Sequence, residues 1–455
     1  MFTKQKRHEV DMCNGPLFPK IITFFIPVML SNMLQLVYNA ADQLIVGRFA
    51  GSRALASVGA TASLVNLIVC FLTGLSVGAS SVIARHFGAN NQRSLTRAAH
   101  TSVMISIIGG LLFGMIGIVF SKPLLRVMDT PEEVIRLSTL YMQIYFAGLP
   151  ATALFNFASA ILRAVGDTKR PMIFLIISGA LNVVLNLVFV IIFKMGVAGV
   201  ATATVISQIL AAFLTVRCLI NTEESYKIVL KNLKIYKAEL LQIIQIGIPA
   251  SIQSSAFSLS NVFIQSAINS FGEFAMAGCT AASNIDNMIY QAMNSLYHTT
   301  LSFTGQNYGA GKKDRIIKSV LYCGGVVTVL GMVIGGITYI FCEPLLKMFV
   351  TNPEAIAFGM ERLKIMCLTY FMCGMMEVGA GALRGINKSA ISMCGSLIGA
   401  CGLRIVWIYT VFAMSPSIFV LYISYPVTWL VTGIFLNCMF FYFVNKNKYE
   451  NKISA

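Results

Sequence analysis

The chain has 455 residues, 56% of them hydrophobic and only 11% charged, with a mean hydropathy of +0.75. So few charges cannot dress the surface of a soluble domain of this length. That excludes an ordinary cytosolic enzyme, a disordered regulator and a secreted disulfide scaffold, and points to a polytopic membrane protein. The net charge of +16, from 34 basic and 18 acidic residues, belongs to membrane loops rather than to a nucleic-acid surface.

An apolar run of about 20 residues crosses a bilayer as a helix. The first 18 residues are polar and show no cleavable signal, so the first apolar run is expected to be retained. Twelve spans are predicted, at 20–47, 54–82, 98–121, 134–161, 171–193, 196–218, 240–269, 276–304, 316–342, 358–382, 389–412 and 416–444. Pro27 and Pro249 are the expected kink sites. The termini and even-numbered loops carry 24 of the 34 basic residues, among them Lys4, Lys6, Arg7, Arg85, Arg163, Lys227, Lys312, Arg384, Lys448 and Lys452. The asymmetry places both termini in the cytoplasm of a multi-pass plasma-membrane protein. The eleven cysteines have no zinc-like spacing and are read as small buried hydrophobes.

The sequence is one unit written twice. Pro27 matches Pro249, Phe87-Gly88-Ala89 matches Tyr308-Gly309-Ala310, and Gly110 and Gly114 match Gly331 and Gly335. Pro123-Leu124-Leu125 matches Pro344-Leu345-Leu346, Pro131-Glu132 matches Pro353-Glu354, and Leu162-Arg163 matches Leu383-Arg384. All lie about 221 residues apart. Six spans per half give both halves the same orientation, a parallel repeat. The expected fold is therefore an all-α polytopic membrane protein with twelve transmembrane helices in two pseudo-symmetric six-helix lobes. Residues 1–218 form the N-terminal lobe, 219–239 a cytoplasmic linker and 240–455 the C-terminal lobe. The GxxxG pairs in spans three and nine are expected to pack helices inside each lobe.

Tyr38-Asn39-Ala40-Ala41-Asp42 followed by Val46-Gly47 resembles the end of the first helix in MATE transporters (multidrug and toxic compound extrusion). Gly305-Gln306-Asn307-Tyr308-Gly309-Ala310-Gly311 and Leu162-Arg163-Ala164-Val165-Gly166-Asp167-Thr168-Lys169 are similar to strings of the same family. The resemblance covers essentially the whole chain. It implies export of organic, often cationic, small molecules in exchange for H+ or Na+, by alternating access of two lobes around a central cavity. No other cofactor is implied. The expected partners are these substrates and membrane lipids, with no nucleic acid, and the chain is expected to be a monomer.

Three acids fall inside spans: Asp42, Asp286 and Glu377. A charge at membrane depth costs about 2.5–3.5 kcal/mol on insertion scales unless paired, hydrated or neutralised. Asn39 lies on the Asp42 face of span one. Span four carries Asn156, span five Asn182 and Asn186 at i, i+4, and span six Thr202 and Thr204. The resemblance implies that Asp42, Asn156, Asn182, Asn186 and Thr204 form one oxygen-rich pocket that couples transport to a proton or a monovalent cation. The alternative is a hydrated Asp42 at the interface, paired with Arg48. Many relatives have Asp at the Asn186 position and a further acid on span seven, where this chain offers only Gln253, Asn261 and Gln265. One carboxylate suits one proton or one monovalent ion.

Glu377 aligns with Asn156 and Arg404 with Asn182, so a buried Glu377–Arg404 ion pair is expected, serving either as a static bridge or in coupling. Asp286 either faces the cavity, attracting a cationic substrate, or is hydrated nearer the outer surface. His298 is the one histidine inside a span, unlike His8, His86 and His100. It serves either in hydrogen-bonded packing or as a proton relay. There is no Walker A motif: Gln306 stands where its first glycine belongs, and no Ser or Thr follows the lysine. Without HExxH or a nucleophile elbow, no enzyme activity is expected. A lipid-linked oligosaccharide flippase of a related superfamily branch is the alternative. It calls for a larger, more cationic cavity, and the sequence offers only Arg404 and Arg163 at suitable depth. A receptor or channel would not need two repeated lobes.

Overall fold

Backbone polar groups inside a bilayer have no partners but one another, and this chain satisfies them with helices. The computed structural model describes residues 9–128 and 130–446. Lys4, Lys6, Arg7, His8, Lys448 and Lys452 lie outside them. The helices are α1 (Leu17–Ile45), α2 (Ser52–Gly88), α3 (Gln92–Val127), α4 (Glu132–Ala147), α5 (Leu149–Ala164), α6 (Lys169–Leu187), α7 (Gly196–Asn221), α8 (Lys237–Asn269), α9 (Glu273–Gly309), α10 (Lys313–Ile340), α11 (Cys342–Lys347), α12 (Pro353–Gly385), α13 (Ser389–Ser396), α14 (Leu403–Trp407) and α15 (Ile418–Lys446). π-Helical turns extend α1 at Val46–Ala50 and α6 at Val188–Ile192. Two more, Leu397–Gly402 and Ile408–Phe412, join α13 and α14 into one segment.

Among the described residues ten helices are long and apolar enough to cross a membrane, and α4 with α5 make an eleventh, bent by 45°. The remaining expected span, 276–304, is α9. It has 37 residues but is less apolar than the others. Its polar side chains, including Ser295, Thr299, Thr304 and Asn307, are buried against protein, and α12 is its main neighbour. These buried polar residues lower its mean hydropathy, although the equally buried α2 and α12 remain apolar enough to read as spans.

Pro27 and Pro249 lie inside unbroken helices, and a helix break that the sequence did not mark occurs elsewhere. It falls at Gly148, two residues before Pro150. Pro150 donates no N–H and its ring crowds the carbonyl of Phe146, which breaks the helix there. The displaced Phe146 carbonyl lies against Gly114 of α3, 2.7 Å from where a Cβ would stand. The second half repeats this contact with Gly335 against the Cys367 carbonyl, at the same spacing of 221 residues. There Phe371 replaces Pro150 and α12 runs straight through. Left-handed turns recur in register too. Asn90 (φ 54°) corresponds to Gly311 (φ 69°), and Gly166 (φ 103°) to Asn387 (φ 65°). Only Gly and Asn adopt this conformation readily, so the pairs preserve a backbone shape through changing sequence.

The described chain divides into two compact units. One holds Glu9, Val10 and Leu30–Ser251; the other holds Asp11–Met29 and the chain from Ile252 onward. These divisions fall within α1 and α8 rather than at the expected 219–239 linker. The reason is local bonding. In the first unit α8 meets α2 backbone to backbone, since a Cβ on Gly78 or Gly74 would strike Ile243, Gly247 or Ser251. The linker is tied to α3: the Val229 N–H donates to His100 Nε2 (3.1 Å), the Tyr236 N–H to Thr101 Oγ1 (3.1 Å), and Thr96 Oγ1 to the Ser225 carbonyl (2.5 Å). Tyr226 donates to Glu9, and the Val10 N–H to the Gly166 carbonyl (3.1 Å).

In the second unit, Arg315 and Lys312 hold the carbonyls of Met12 and Cys13, and Phe24 packs edge-on against Phe303. Burial raises the Asp11 carboxyl. Hydrogen bonds from Asn14 and the Cys13 N–H, together with Lys20, outweigh it and hold the group below the usual carboxylate range.

Adjacent glycines on α10 test the packing. Gly335→Leu would drive a side chain into the Cys367 backbone, whereas Gly336 has open space where its Cβ would stand. Gly335→Leu is expected to cost about 1–3 kcal/mol and to lower the thermal midpoint in detergent, with Gly336→Leu unchanged. Equal midpoints would contradict the assignment.

Candidate functional site

Asp42 sits near the end of α1, and its position is set one turn earlier. Tyr38 lies on the surface of α6 where Gly179 has no side chain; a Cβ there would strike the ring. The Tyr38 hydroxyl points at the Ile176 carbonyl, 3.5 Å away. Residues i and i+4 share a helix face, so the same contact carries Asp42 onto α6 beside Asn186.

The carboxylate is met by neutral donors on both oxygens. Asn186 Nδ2 donates to Oδ1 (2.5 Å) and to Asn182 Oδ1 (3.3 Å). Thr204 Oγ1 of α7 lies 3.3 Å from Asp42 Oδ2 and 3.0 Å from the Val200 carbonyl. Its single hydrogen serves one of the two at a time. Asn182 Nδ2 lies 3.5 Å from Thr204 Oγ1. Asn182 and Asn186 are buried, and Asn186 Oδ1 has no partner at all. Tyr141 and Tyr145 of α4 stack with centroids 6.2 Å apart and lie within electrostatic reach of Asp42. Tyr141 and Tyr145 escaped the sequence reading, their only signal being aromatic spacing by four residues; Tyr38 stood in the family-like string but was given no role.

Four of the expected residues are therefore together: Asp42, Asn182, Asn186 and Thr204. Asn156 is half-buried on α5 and outside the hydrogen-bonded network, and Asn39 is exposed. Arg48 is exposed and forms no ion pair with Asp42. The assembled donors are a carboxylate, two amide oxygens and a hydroxyl. Asn186 turns its Nδ2 toward Asp42 and Asn182 and keeps its Oδ1 unpartnered, so the carboxylate takes a proton as the site stands, and the set fits a monovalent cation with the Asn186 amide turned over. No cluster of three or more His, Cys, Asp or Glu occurs among the described residues.

The acids of the second unit are arranged differently. Asp286 is neither cavity-facing nor hydrated. It is buried against Arg362, with Oδ2 receiving Nη2 at 2.8 Å and Nε at 3.0 Å. The same guanidinium donates to the Cys279 carbonyl (3.0 Å), the Tyr422 hydroxyl (3.1 Å) and Ser283 Oγ (2.8 Å). Sequence reading missed Arg362, which stands within the predicted span 358–382.

The expected Glu377–Arg404 ion pair is not formed. The basic group bearing on Glu377 is Arg384, two turns along α12. Arg384 donates to Tyr297 and to Gln253 Oε1 (2.8 Å). Arg404 instead lies over the Tyr425 ring, 3.8 Å from its centroid. The offset that aligned Glu377 and Arg404 with Asn156 and Asn182 fixed their helices but not their side-chain reach. His298 is half-buried, with its ring edge-on to Tyr297 at 5.0 Å.

The family model described as MatE matches residues 27–188 and again 249–410, the same model fitting each half. The chain belongs to the MATE family. Among its relatives, the probable multidrug resistance protein YpnP of Bacillus subtilis is 28% identical over 85% of this chain and 86% of its own length. The probable multidrug resistance protein YoeA of the same organism is 31% identical over 79% and 80%. The multidrug export protein MepA of Staphylococcus aureus is 22% identical over 82% and 83%. The outward-facing structure of a multidrug resistance MATE family transporter of the MOP superfamily superposes with a TM-score of 0.91. It is 22% identical over 97% of this chain and 99% of that one, a likeness of fold.

The buried Asp286–Arg362 pair gives a stability test. Asp286→Asn strands a guanidinium and is expected to cost about 3–5 kcal/mol. The double variant Asp286→Asn/Arg362→Met should recover part of that loss in thermal midpoint and monodisperse yield. A double variant no better than the single would contradict the pairing.

Proposed function

We propose that this protein exports organic, often cationic, compounds across the cell membrane in exchange for H+ or Na+ bound at Asp42. Its two six-span repeats, 1–218 and 240–455, alternate access as they rock. The carrying observation is the bonding of Asp42: a carboxylate at membrane depth, held by amide and hydroxyl groups and by no built-in cation. Such a group keeps its charge available to a mobile ion. Family membership and the names of the relatives support export as the direction and drugs as the cargo.

In this reading the outward-open protein binds the ion at Asp42. Asn182, Asn186 and Thr204 supply the remaining oxygens, and a proton needs only the carboxylate. Filling the site favours the state that releases substrate and returns inward. The membrane potential contributes about 2.3 kcal/mol per charge per 100 mV. The termini lie in the cytoplasm, the protein works as a monomer, and its other contacts are with lipid. A flippase for lipid-linked oligosaccharides is less well supported. Of the buried arginines, Arg362 is spent on Asp286, and Arg384 on Tyr297 and Gln253.

The test is efflux of a cationic dye from proteoliposomes with pH and sodium gradients imposed separately. Wild-type protein should respond to at least one gradient. Asp42→Asn, folded by thermal midpoint, should lose at least about tenfold of the gradient-driven rate, roughly 1.4 kcal/mol. Undiminished transport by Asp42→Asn would end the proposal.

A further inference from the structure

The first unit carries a groove among α3, α5 and α7 that the transport reading leaves without a role. It encloses about 500 Å³, within the usual range for a ligand cavity, about 300–1,000 Å³. Ile209, Phe213 and Val216 of α7 form one wall, and Pro150 and Leu154 of α5 the other. Phe213 is 56% exposed and Ile209 52%, so the groove lies at the surface of the unit.

Every lining residue is apolar except one. Arg217 stands at one end, a single turn before α7 finishes at Asn221. It is exposed and makes no hydrogen bond or ion pair among the described residues. The other end is closed. There Pro150 lies directly on Gly110 of α3, its Cα 2.5 Å from where a Cβ would stand. From Arg217 to Ile209 is just over two turns of helix, about 12 Å at a rise of 1.5 Å per residue. That is close to the depth of one leaflet, roughly half of a 30 Å hydrocarbon core. The second half carries Phe371 and Met372 at the positions of Pro150 and Ala151, larger side chains where the first half leaves room.

We propose that this groove binds an anionic phospholipid of the leaflet on the Arg217 side, its phosphate paired with the guanidinium and one acyl chain laid between α5 and α7. Guanidinium N–H groups match phosphate oxygens in geometry and charge. The cation fixes the headgroup and the groove fixes the chain, so the lipid is held at one place and is not merely part of the surrounding bilayer. A zwitterionic lipid offers the same chain and phosphate, but its own ammonium competes with Arg217 for that phosphate.

The test is fluorescence quenching read inside the groove. Phe213→Trp places a reporter in its wall, and the signal of Trp407 and Trp429 is subtracted with the unsubstituted protein. The probes are phosphatidylglycerol and phosphatidylcholine with the same brominated acyl chains, added to protein in detergent. Half-maximal quenching should need about fivefold less phosphatidylglycerol than phosphatidylcholine. Arg217→Gln in the reporter protein should erase that preference. Ala151→Met should weaken both lipids together, and glycerol 3-phosphate, the headgroup anion without chains, should displace neither. Thermal midpoints without lipid verify that the variants fold. Equal quenching by the two lipids would overturn the proposal on the reporter protein alone. A preference that survives Arg217→Gln, quenching unchanged by Ala151→Met, or displacement by glycerol 3-phosphate would overturn it as well.

Discussion

A carboxylate inside a membrane protein must be answered by something polar, and the kind of answer decides what it can do. Asp286 is answered by Arg362. Its charge is cancelled by a cation fixed in the fold, and every polar atom of that arginine is engaged. Asp42 is answered by Asn186 and Thr204, which donate hydrogen bonds but carry no charge. The first acid is closed to mobile ions and holds helices together. The second keeps a charge that an arriving ion can neutralise. The functional account depends on that difference.

The two halves share a skeleton and differ in chemistry. Helices α2 and α9 correspond residue for residue, and α4 with α5 cover the same positions as α12. Glycine contacts and left-handed turns coincide as well. On this common backbone the first half places Asn156 and Asn182 where the second carries Glu377 and Arg404. Duplication preserved the packing surfaces, where a single added Cβ would collide with backbone. The polar positions were free to diverge, because a change there alters what is bound rather than whether helices meet. One unit became an acid among amides, the other a set of arginines among aromatic rings.

Much of this was legible beforehand, and the failures have physical causes. Span positions and the repeat follow from hydropathy and register, which are properties of sequence spacing, whereas the grouping of Asp42 with Asn182, Asn186 and Thr204 was implied by the resemblance to MATE transporters. Asn182 and Asn186 at i, i+4 had to share a face, and they do. The Asp286–Arg362 pair was not legible, since partners 76 residues apart are joined only by tertiary packing. Arg404 and Glu377 were assigned to each other by charge, but each side chain went to another neighbour, Tyr425 for the one and the field of Arg384 for the other. Pro150 has no N–H for the Phe146 carbonyl and its span breaks there, while Pro27 and Pro249 lie inside unbroken helices. The 219–239 stretch reads as a linker by charge, yet His100 and Thr101 tie it to the first unit.

The most direct test looks at the carboxylate itself. Infrared difference spectra of the reconstituted protein, recorded as sodium or pH is stepped at fixed temperature, report protonation and cation contact of individual carboxyl groups. The account predicts a carboxyl band that responds to at least one of the two ions, is present in wild-type protein and is missing in Asp42→Asn. A response that survives the substitution intact, or no carboxyl response to either ion, would contradict it.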